Sequence, residues 1–159
     1  MAILFNSTAE LKQFVGVSMA LEVETLRPHL ENSEAEKQLV KVLGATLYNE
    51  LVSGHQANTL DPAQTLLLPK VQGALAPLAV YYYLQEAAVR ISDSGVSSDR
   101  ESSAFQWQQL KVEQHYLNTA YLRLDNLIAY LLKNKASFDG WEETSEYRST
   151  KEFFINTPA

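Results

Sequence analysis

The stretch from Arg100 to Lys135 contains neither proline nor glycine, and this constrains the fold more than any other feature of the sequence. Without a helix breaker, it predicts one continuous helix, roughly 50 Å long at 1.5 Å of rise per residue. Its apolar residues follow a heptad, with only one polar residue among the a and d positions. The a positions are Trp107, Gln114, Tyr121 and Ile128, and the d positions are Leu110, Leu117, Leu124 and Leu131. Further apolar residues widen the stripe in the second half, namely Ala120, Leu122, Leu127 and Ala129. We therefore expect the second half of the helix to be buried more deeply.

The N-terminal part of the chain also predicts helices. Ser7 and Glu10 stand three residues apart and form a capping box ahead of a short helix. A longer helix is predicted over residues 21–43, and Gly44 ends it. Pro28 lies early in this stretch and marks either its true start or a kink.

A second group of helix signals follows Gly44. A short helix is predicted over 45–52, closed by Ser53 and Gly54, and residues 55–60 form a polar loop. Asp61 is then suited to cap the next helix, with Pro62 at its first position.

The segment from Thr65 to Ile91 predicts the central helix of a bundle. From Ala74 to Leu84 it is apolar on nearly every face, which is typical of a helix with neighbours all round. Pro69 is able to begin a fresh helix. Pro77 lies deep inside the pattern, where it removes one backbone donor and crowds the carbonyl of Gly73. The sequence therefore predicts a kinked central helix.

Two remaining segments complete an all-α, single-domain bundle of about five helices over residues 1–159. Residues 92–98 are small and polar and predict a turn or loop. Residues 136–159 carry more acidic than basic groups together with several aromatic rings. We expect this tail to dock on the bundle or on a neighbouring subunit.

Composition excludes several classes of protein. The chain has 159 residues, a formal net charge of −6 and no cysteine, so disulfide scaffolds, thiolate metal sites and cysteine nucleophiles are ruled out. The acidic balance argues against a general nucleic-acid binder. No apolar run approaches the ~20 residues that span a bilayer, and no signal peptide is recognisable. A soluble, cytoplasmic single domain is the resulting expectation.

The residues offer little sign of catalysis. The three histidines, His29, His55 and His115, are far apart in sequence and follow no metal-binding motif. Asp93 and Asp99 flank a glycine-containing loop, but the calcium-loop spacing is absent and a solvated turn explains them better. We predict no catalytic residue, no cofactor and no metal ligand.

Aromatic residues are the stronger candidates for function. Three successive tyrosines, 81–83, cannot share one helix face, so at least one ring is expected at the bundle surface. Two interpretations are equally open: the tyrosines form a subunit interface, or two rings lie in the core and one lies under the C-terminal tail. The candidate subunit-interface residues are Tyr81, Tyr83, Trp141, Tyr147, Phe153 and Phe154.

The order of several segments resembles a known family. These segments are Val42–Leu51, Ala74–Leu84, Ile91–Val96, Ser103–Trp107, Phe138 with Trp141, Tyr147 and Phe153–Thr157. As a set, they resemble small uncharacterised helical proteins encoded by phages and prophages of gut bacteria, and the similarity covers almost the whole chain. That family is similar in size and helical architecture to the head–tail connector, or head-completion, proteins of tailed phages.

The resemblance implies a virion structural protein that first exists in the host cytoplasm. Such connectors form a ring beneath the portal, bind portal and tail-completion proteins, and let DNA pass without sequence-specific binding or a membrane. An acidic subunit suits such a channel, because like charges repel phosphates. A closed ring also requires two different faces on each subunit.

Two other interpretations stay open. The chain is alternatively a small cytoplasmic adaptor or regulator that dimerises through the Leu110–Leu131 stripe, or a helical enzyme with a site at one of its histidines. Replacing Leu117 or Leu124 with aspartate distinguishes a dimer interface at this stripe from a stripe that belongs to the core of the monomer. We predict that both variants unfold, because the stripe is core of the monomer and a buried unpaired charge costs several kcal/mol. Variants that stay folded but become monomeric would instead favour the dimer.

Overall fold

The computed structural model describes residues 4–15, 22–87, 89–92, 95–98 and 103–141, with the backbone alone at 89–92, 95–98 and 103–106. Six α-helices in this part of the chain pack around one continuous apolar core. They are α1 (Thr8–Val15), α2 (Val23–Leu30), α3 (Glu34–Leu43), α4 (Ala45–Ala57), α5 (Pro62–Ala87) and α6 (Ser103–Lys133), and a 3₁₀ turn follows at Lys135–Ser137. The all-α bundle is confirmed, with one helix more than expected.

Helix α5 is the centre of the bundle. Every residue from 71 to 80 is buried, and α5 packs against α1, α2, α3 and α6. Asp61 caps the helix, because its Oδ1 accepts the Gln64 amide at 2.7 Å. The expected central position and the expected N-cap are both confirmed.

The two proline positions lie inside one continuous helix. Pro69 does not begin a new helix, because α5 runs unbroken from residue 62 to residue 87. Pro77 has no N–H to donate to the carbonyl of Gly73, four residues earlier. Arg123 of α6 compensates, since its Nη1 donates to that carbonyl at 2.7 Å and to the Phe14 carbonyl at 3.2 Å. The bend at Pro77 stays a prediction.

Helices α5 and α6 run antiparallel, and two contacts give their register. Arg123 bonds to Gly73, and Lys70 Nζ lies 4.6 Å from the ring centroid of Tyr130. Because both helices advance equally per residue, the end of α5 at Ala87 lies opposite about residue 110 of α6. The first two turns of α6 therefore extend past the end of its main helical neighbour.

The predicted long helix over 21–43 is wrong, because the structure divides it into α2 and α3. Asn32 takes a positive φ of 53° between them, and Ser33 Oγ accepts the Glu36 amide at 3.1 Å as the N-cap of α3. The Glu36 carboxylate also accepts the Asn32 amide. A Ser-x-x-Glu capping box therefore starts a new helix in mid-pattern.

The predicted stop at Gly54 is also wrong. Helix α4 continues to Ala57 and ends at Asn58, which adopts the left-handed conformation with φ 55°. Gly54 is buried inside the helix because Leu60 packs over it, and an added Cβ would lie 2.6 Å from Leu60 Cδ2. By contrast, Gly44 does end α3 as predicted, with φ 76°.

The predicted loop at 92–98 is a two-stranded antiparallel hairpin instead. Its strands are β1 (Val89–Ser92) and β2 (Gly95–Ser98), and the closing pair is Ser92 with Gly95. The β-branched residues Val89 and Ile91 alternate with polar ones along β1, which favours an extended strand. The central helix accordingly ends at residue 87 and not at residue 91.

Candidate interaction surface

The first turns of α6 present large apolar side chains to solvent. Trp107 is 59% exposed, Leu110 is 51% exposed and Val112 is 46% exposed. Lys111 Nζ lies 3.5 Å from the centroid of the Trp107 ring, in a cation–π contact on the helix surface. Trp107 and Leu110 are consecutive a and d residues of the heptad, so they share one face. That face has no covering helix within the described part of the chain.

The second half of the same heptad lies in the core. Leu124 and Leu131 are fully buried, and Ala120 and Leu127 join them. The expected gradient of burial along α6 is therefore confirmed. Leu117 lies between the exposed first turns and the buried second half of α6, and it is half-buried.

The outward side of the second half carries its own apolar residues. Leu122 is 57% exposed and Leu132 is 51% exposed, and Ala129 between them is exposed as well. The prediction that Leu122 and Ala129 widen the buried stripe is wrong. Residues 122 and 129 are two turns apart and face away from α5, because the core already takes the opposite side of α6.

All three tyrosines at 81–83 are half-buried. Gln38 Nε2 donates to Tyr82 Oη at 2.8 Å, and burial raises the pKa of the Tyr82 hydroxyl. Gln85 Nε2 donates to Tyr81 Oη at 2.6 Å, whereas the ring of Tyr83 meets that of His29 edge-on. The structure thus gives each tyrosine a contact within its own chain and some exposed surface.

Trp141 lies inside its own subunit. Its ring is buried and its Nε1 donates to the carbonyl of Val42 at 2.7 Å, which anchors the end of the described chain to the end of α3. Phe138 is buried beside it, with its ring centroid 6.4 Å from that of Tyr130. The interface roles of Tyr81, Tyr83 and Trp141 stay predictions. The other three candidates, Tyr147, Phe153 and Phe154, lie outside the described residues.

The histidines lie on three different helices. His29 of α2 has its Nε2 3.3 Å from Glu86 Oε2, and exposed His115 of α6 stacks edge-on with Tyr116. Among the described residues, no three His, Asp or Glu side chains gather in a way that could hold a metal ion. The loop residues Asp93 and Asp99 lie outside the described residues.

His55 belongs to a polar cluster that holds the N-terminal segment. Its Nε2 lies 3.0 Å from Glu10 Oε1, the same oxygen that accepts Gln72 Nε2 at 2.6 Å. Gln72 is buried on α5 and also donates to the Leu4 carbonyl at 2.6 Å. Glu10 Oε2 accepts the Asn6 amide at 2.6 Å, so the cluster fastens residues 4–6 to the bundle. The bonds of Gln72 and Glu10 satisfy buried polar groups of the fold, whereas the buried Nε2 of His55 makes no hydrogen bond despite its proximity to Glu10.

A family model matches residues 39–151, from the end of α3 to beyond the described chain. The chain belongs to this family, a Family of unknown function (DUF6712). Comparison with curated proteins and with solved structures gave no match. Family membership therefore covers the exposed and the buried parts of α6 and assigns no activity to either.

Two features of this DUF6712 chain bear on how it contacts other molecules. Among the described helices, none is both long enough and apolar enough to cross a membrane. The sequence predicted that the second half of α6 is the more deeply buried, and the polar residues Gln108, Gln109 and Gln114 mark the less buried first half. It did not predict that Leu122 and Ala129 face solvent.

Proposed function

We propose that this chain is a structural subunit of a phage or prophage virion, a head–tail connector that forms a ring beneath the portal. The observation that carries the proposal is the apolar face at the start of α6, formed by Trp107 and Leu110. The resemblance of the sequence to phage-encoded helical proteins supports the same assignment. The proposal assigns the chain no catalytic residue and no cofactor.

The start of α6 has the composition of a contact surface. Tryptophan is enriched among the residues that dominate binding energy, and leucine adds apolar area around it. Full burial of one such side chain contributes about 1.5–3 kcal/mol, which favours a partner that covers both. We assign that partner as a second copy of the chain.

A ring requires that this first face meets a different face on the next copy. Leu122 and Leu132, on the outward side of α6, form an exposed apolar strip suited to be the second face. Joining the start of one α6 to the outward side of the next makes a head-to-tail contact, which closes into a ring at a suitable rotation. The acidic net charge of −6 favours passage of DNA through such a ring without adhesion.

The homodimeric adaptor is the second candidate, and the same exposed face favours it. Two copies are able to pair the starts of α6 about a twofold axis. They cannot use the whole Leu110–Leu131 stripe, because Leu124 and Leu131 are fully buried in the monomer. The dimer and the ring therefore differ in whether Leu122 takes part.

Sedimentation of purified variants separates the two arrangements. Leu110→Asp removes the first face, Leu122→Asp removes the second, and Leu66→Asp is the matched control at an exposed leucine of α5. For the ring, we expect both of the first two variants to be monomeric and the control to assemble like the wild type. An equimolar mixture of Leu110→Asp and Leu122→Asp then forms heterodimers, because one intact contact remains between them.

Each other outcome has a definite meaning. If Leu122→Asp still dimerises and only Leu110→Asp is monomeric, the adaptor replaces the ring. If the wild-type chain is monomeric at every concentration, self-assembly through α6 is wrong. Circular dichroism of each variant confirms that the fold is retained, since all three leucines are exposed.

A further inference from the structure

A groove lies on one side of the bundle, between the C-terminal end of α1 and interior turns of α5 and α6. Its volume is about 300 Å³, and its apolar walls are the ring of Phe14, Pro69 and the side chain of Leu127. That volume is at the lower end of the range for small-ligand sites and suits one or two side chains of a peptide.

The polar lining of this groove is positively charged. Lys70 and Arg123 contribute two cations, Asn126 contributes an amide, and the described residues that line the groove include no carboxylate. Arg123 uses Nη1 for two backbone carbonyls, which fixes the guanidinium at the wall of the groove. An apolar groove bordered by fixed cations is complementary to a peptide that carries aromatic rings beside a carboxylate.

A chain of contacts connects the groove to the residues that precede the C-terminal segment. Lys70 reaches over the Tyr130 ring, and Tyr130 contacts Phe138, three residues before the anchored Trp141. The eleven residues 142–152 span roughly 35 Å when extended, about the length of the whole of α5, so the chain is long enough for Phe153 to reach the groove. The segment 142–159 carries four carboxylates and two cations, and Glu152 directly precedes Phe153 and Phe154.

We propose that residues 142–159 occupy the groove of their own chain, with Phe153 and Phe154 against its apolar walls and Glu152 beside the two cations. The same chain is the favoured source because a short tether holds a segment at an effective concentration in the millimolar range. This proposal does not rest on the connector function, since it concerns a single copy.

Disulfide formation in the full-length chain tests the proposal directly. The protein has no cysteine, so any disulfide that forms must join the introduced cysteines. The test pair is Asn126→Cys with Asn156→Cys, which joins the groove to the segment. The control pair is Asn49→Cys with Asn156→Cys, because Asn49 is also exposed but lies on α4, outside the groove. In dilute protein, we expect the test pair to form an intramolecular disulfide on the order of tenfold faster than the control.

Charge reversal adds a readout that depends on the proposed contact. Lys70→Glu is expected to slow disulfide formation of the test pair, and adding Glu152→Lys is expected to restore it. Phe153→Ser is expected to slow it without rescue.

Equal rates for the test and control pairs would overturn the proposal. Disulfide-linked dimers at low concentration would overturn it too, since they would assign the groove to the segment of a second copy. Because these measurements use dilute single chains, they give the same answer whether or not the chain forms a ring.

Discussion

Replacing Arg123 with methionine tests how the bundle tolerates a proline in its central helix. Pro77 leaves the buried Gly73 carbonyl without its usual helical donor, and Arg123 Nη1 supplies one from α6 at 2.7 Å. Methionine keeps an apolar stem of similar length and removes the donors. The variant therefore leaves one buried carbonyl unsatisfied and also frees the half-buried Phe14 carbonyl at the end of α1.

The expected loss follows from these two bonds. An unsatisfied buried acceptor costs about 1–3 kcal/mol, and the partly exposed Phe14 carbonyl regains water at little cost. We expect Arg123→Met to lower the free energy of unfolding by about 2 kcal/mol. With a typical urea dependence of about 2 kcal/mol per M, the unfolding midpoint falls by about 1 M.

A double-mutant cycle measures the coupling free energy between Pro77 and Arg123. Pro77→Ala restores an N–H that can donate to Gly73, so Arg123→Met is expected to cost about 1 kcal/mol less in that background. Arg27→Met, which removes an exposed guanidinium from α2, is the control and is expected to show no coupling to Pro77. Additive costs for Pro77→Ala and Arg123→Met within about 0.5 kcal/mol would refute this account of the proline.

Four further variants test the core, the polar cluster and the pH dependence of stability. Leu124→Asp is expected to unfold the chain, because a buried unpaired charge costs several kcal/mol. Leu117 is only half-buried, so Leu117→Asp is expected to stay folded with reduced stability. A folded Leu124→Asp variant, measured by circular dichroism, would contradict the burial of Leu124. Gln72→Leu removes the donor to the Leu4 carbonyl and is expected to cost about 1–3 kcal/mol in urea unfolding, so an unchanged midpoint would argue against the cluster. Burial and the hydrogen bond to Glu36 raise the pKa of Tyr48, so the folded state holds this proton more tightly than the unfolded state does. The stability that Tyr48 contributes is therefore complete below about pH 10 and is lost as pH rises further, and Tyr48→Phe is expected to reduce this alkaline loss in unfolding measured against pH. An identical alkaline loss in both proteins would exclude Tyr48 as its source.

Local signals predicted much of this fold. The capping box at Ser7 is present, with Ser7 Oγ accepting the Glu10 amide at 3.2 Å, and Asp61 caps α5 as its spacing with Gln64 suggested. The apolar run around Ala74–Leu84 correctly gave the central helix, because only a bundle centre buries a helix on all sides. These features depend on residues within a few positions of each other.

The errors arose where a distant residue decides a local outcome. Gly54 stays helical because Leu60 covers it from the connection after α4. The capping box at Ser33 was legible in the sequence, but the apolar periodicity across it favoured one long helix. The exposure of Leu122 and Ala129 follows from which side of α6 the core occupies, and the apolar pattern of α6 alone does not contain that information.

Mass spectrometry of purified phage particles tests the central proposal most directly. Particles are induced from the source strain, separated by density gradient and analysed for this chain alongside the portal protein. The connector assignment predicts that the chain is present at several copies per portal ring. Clean particles that lack the chain, while it is expressed in the same cells, would contradict the assignment.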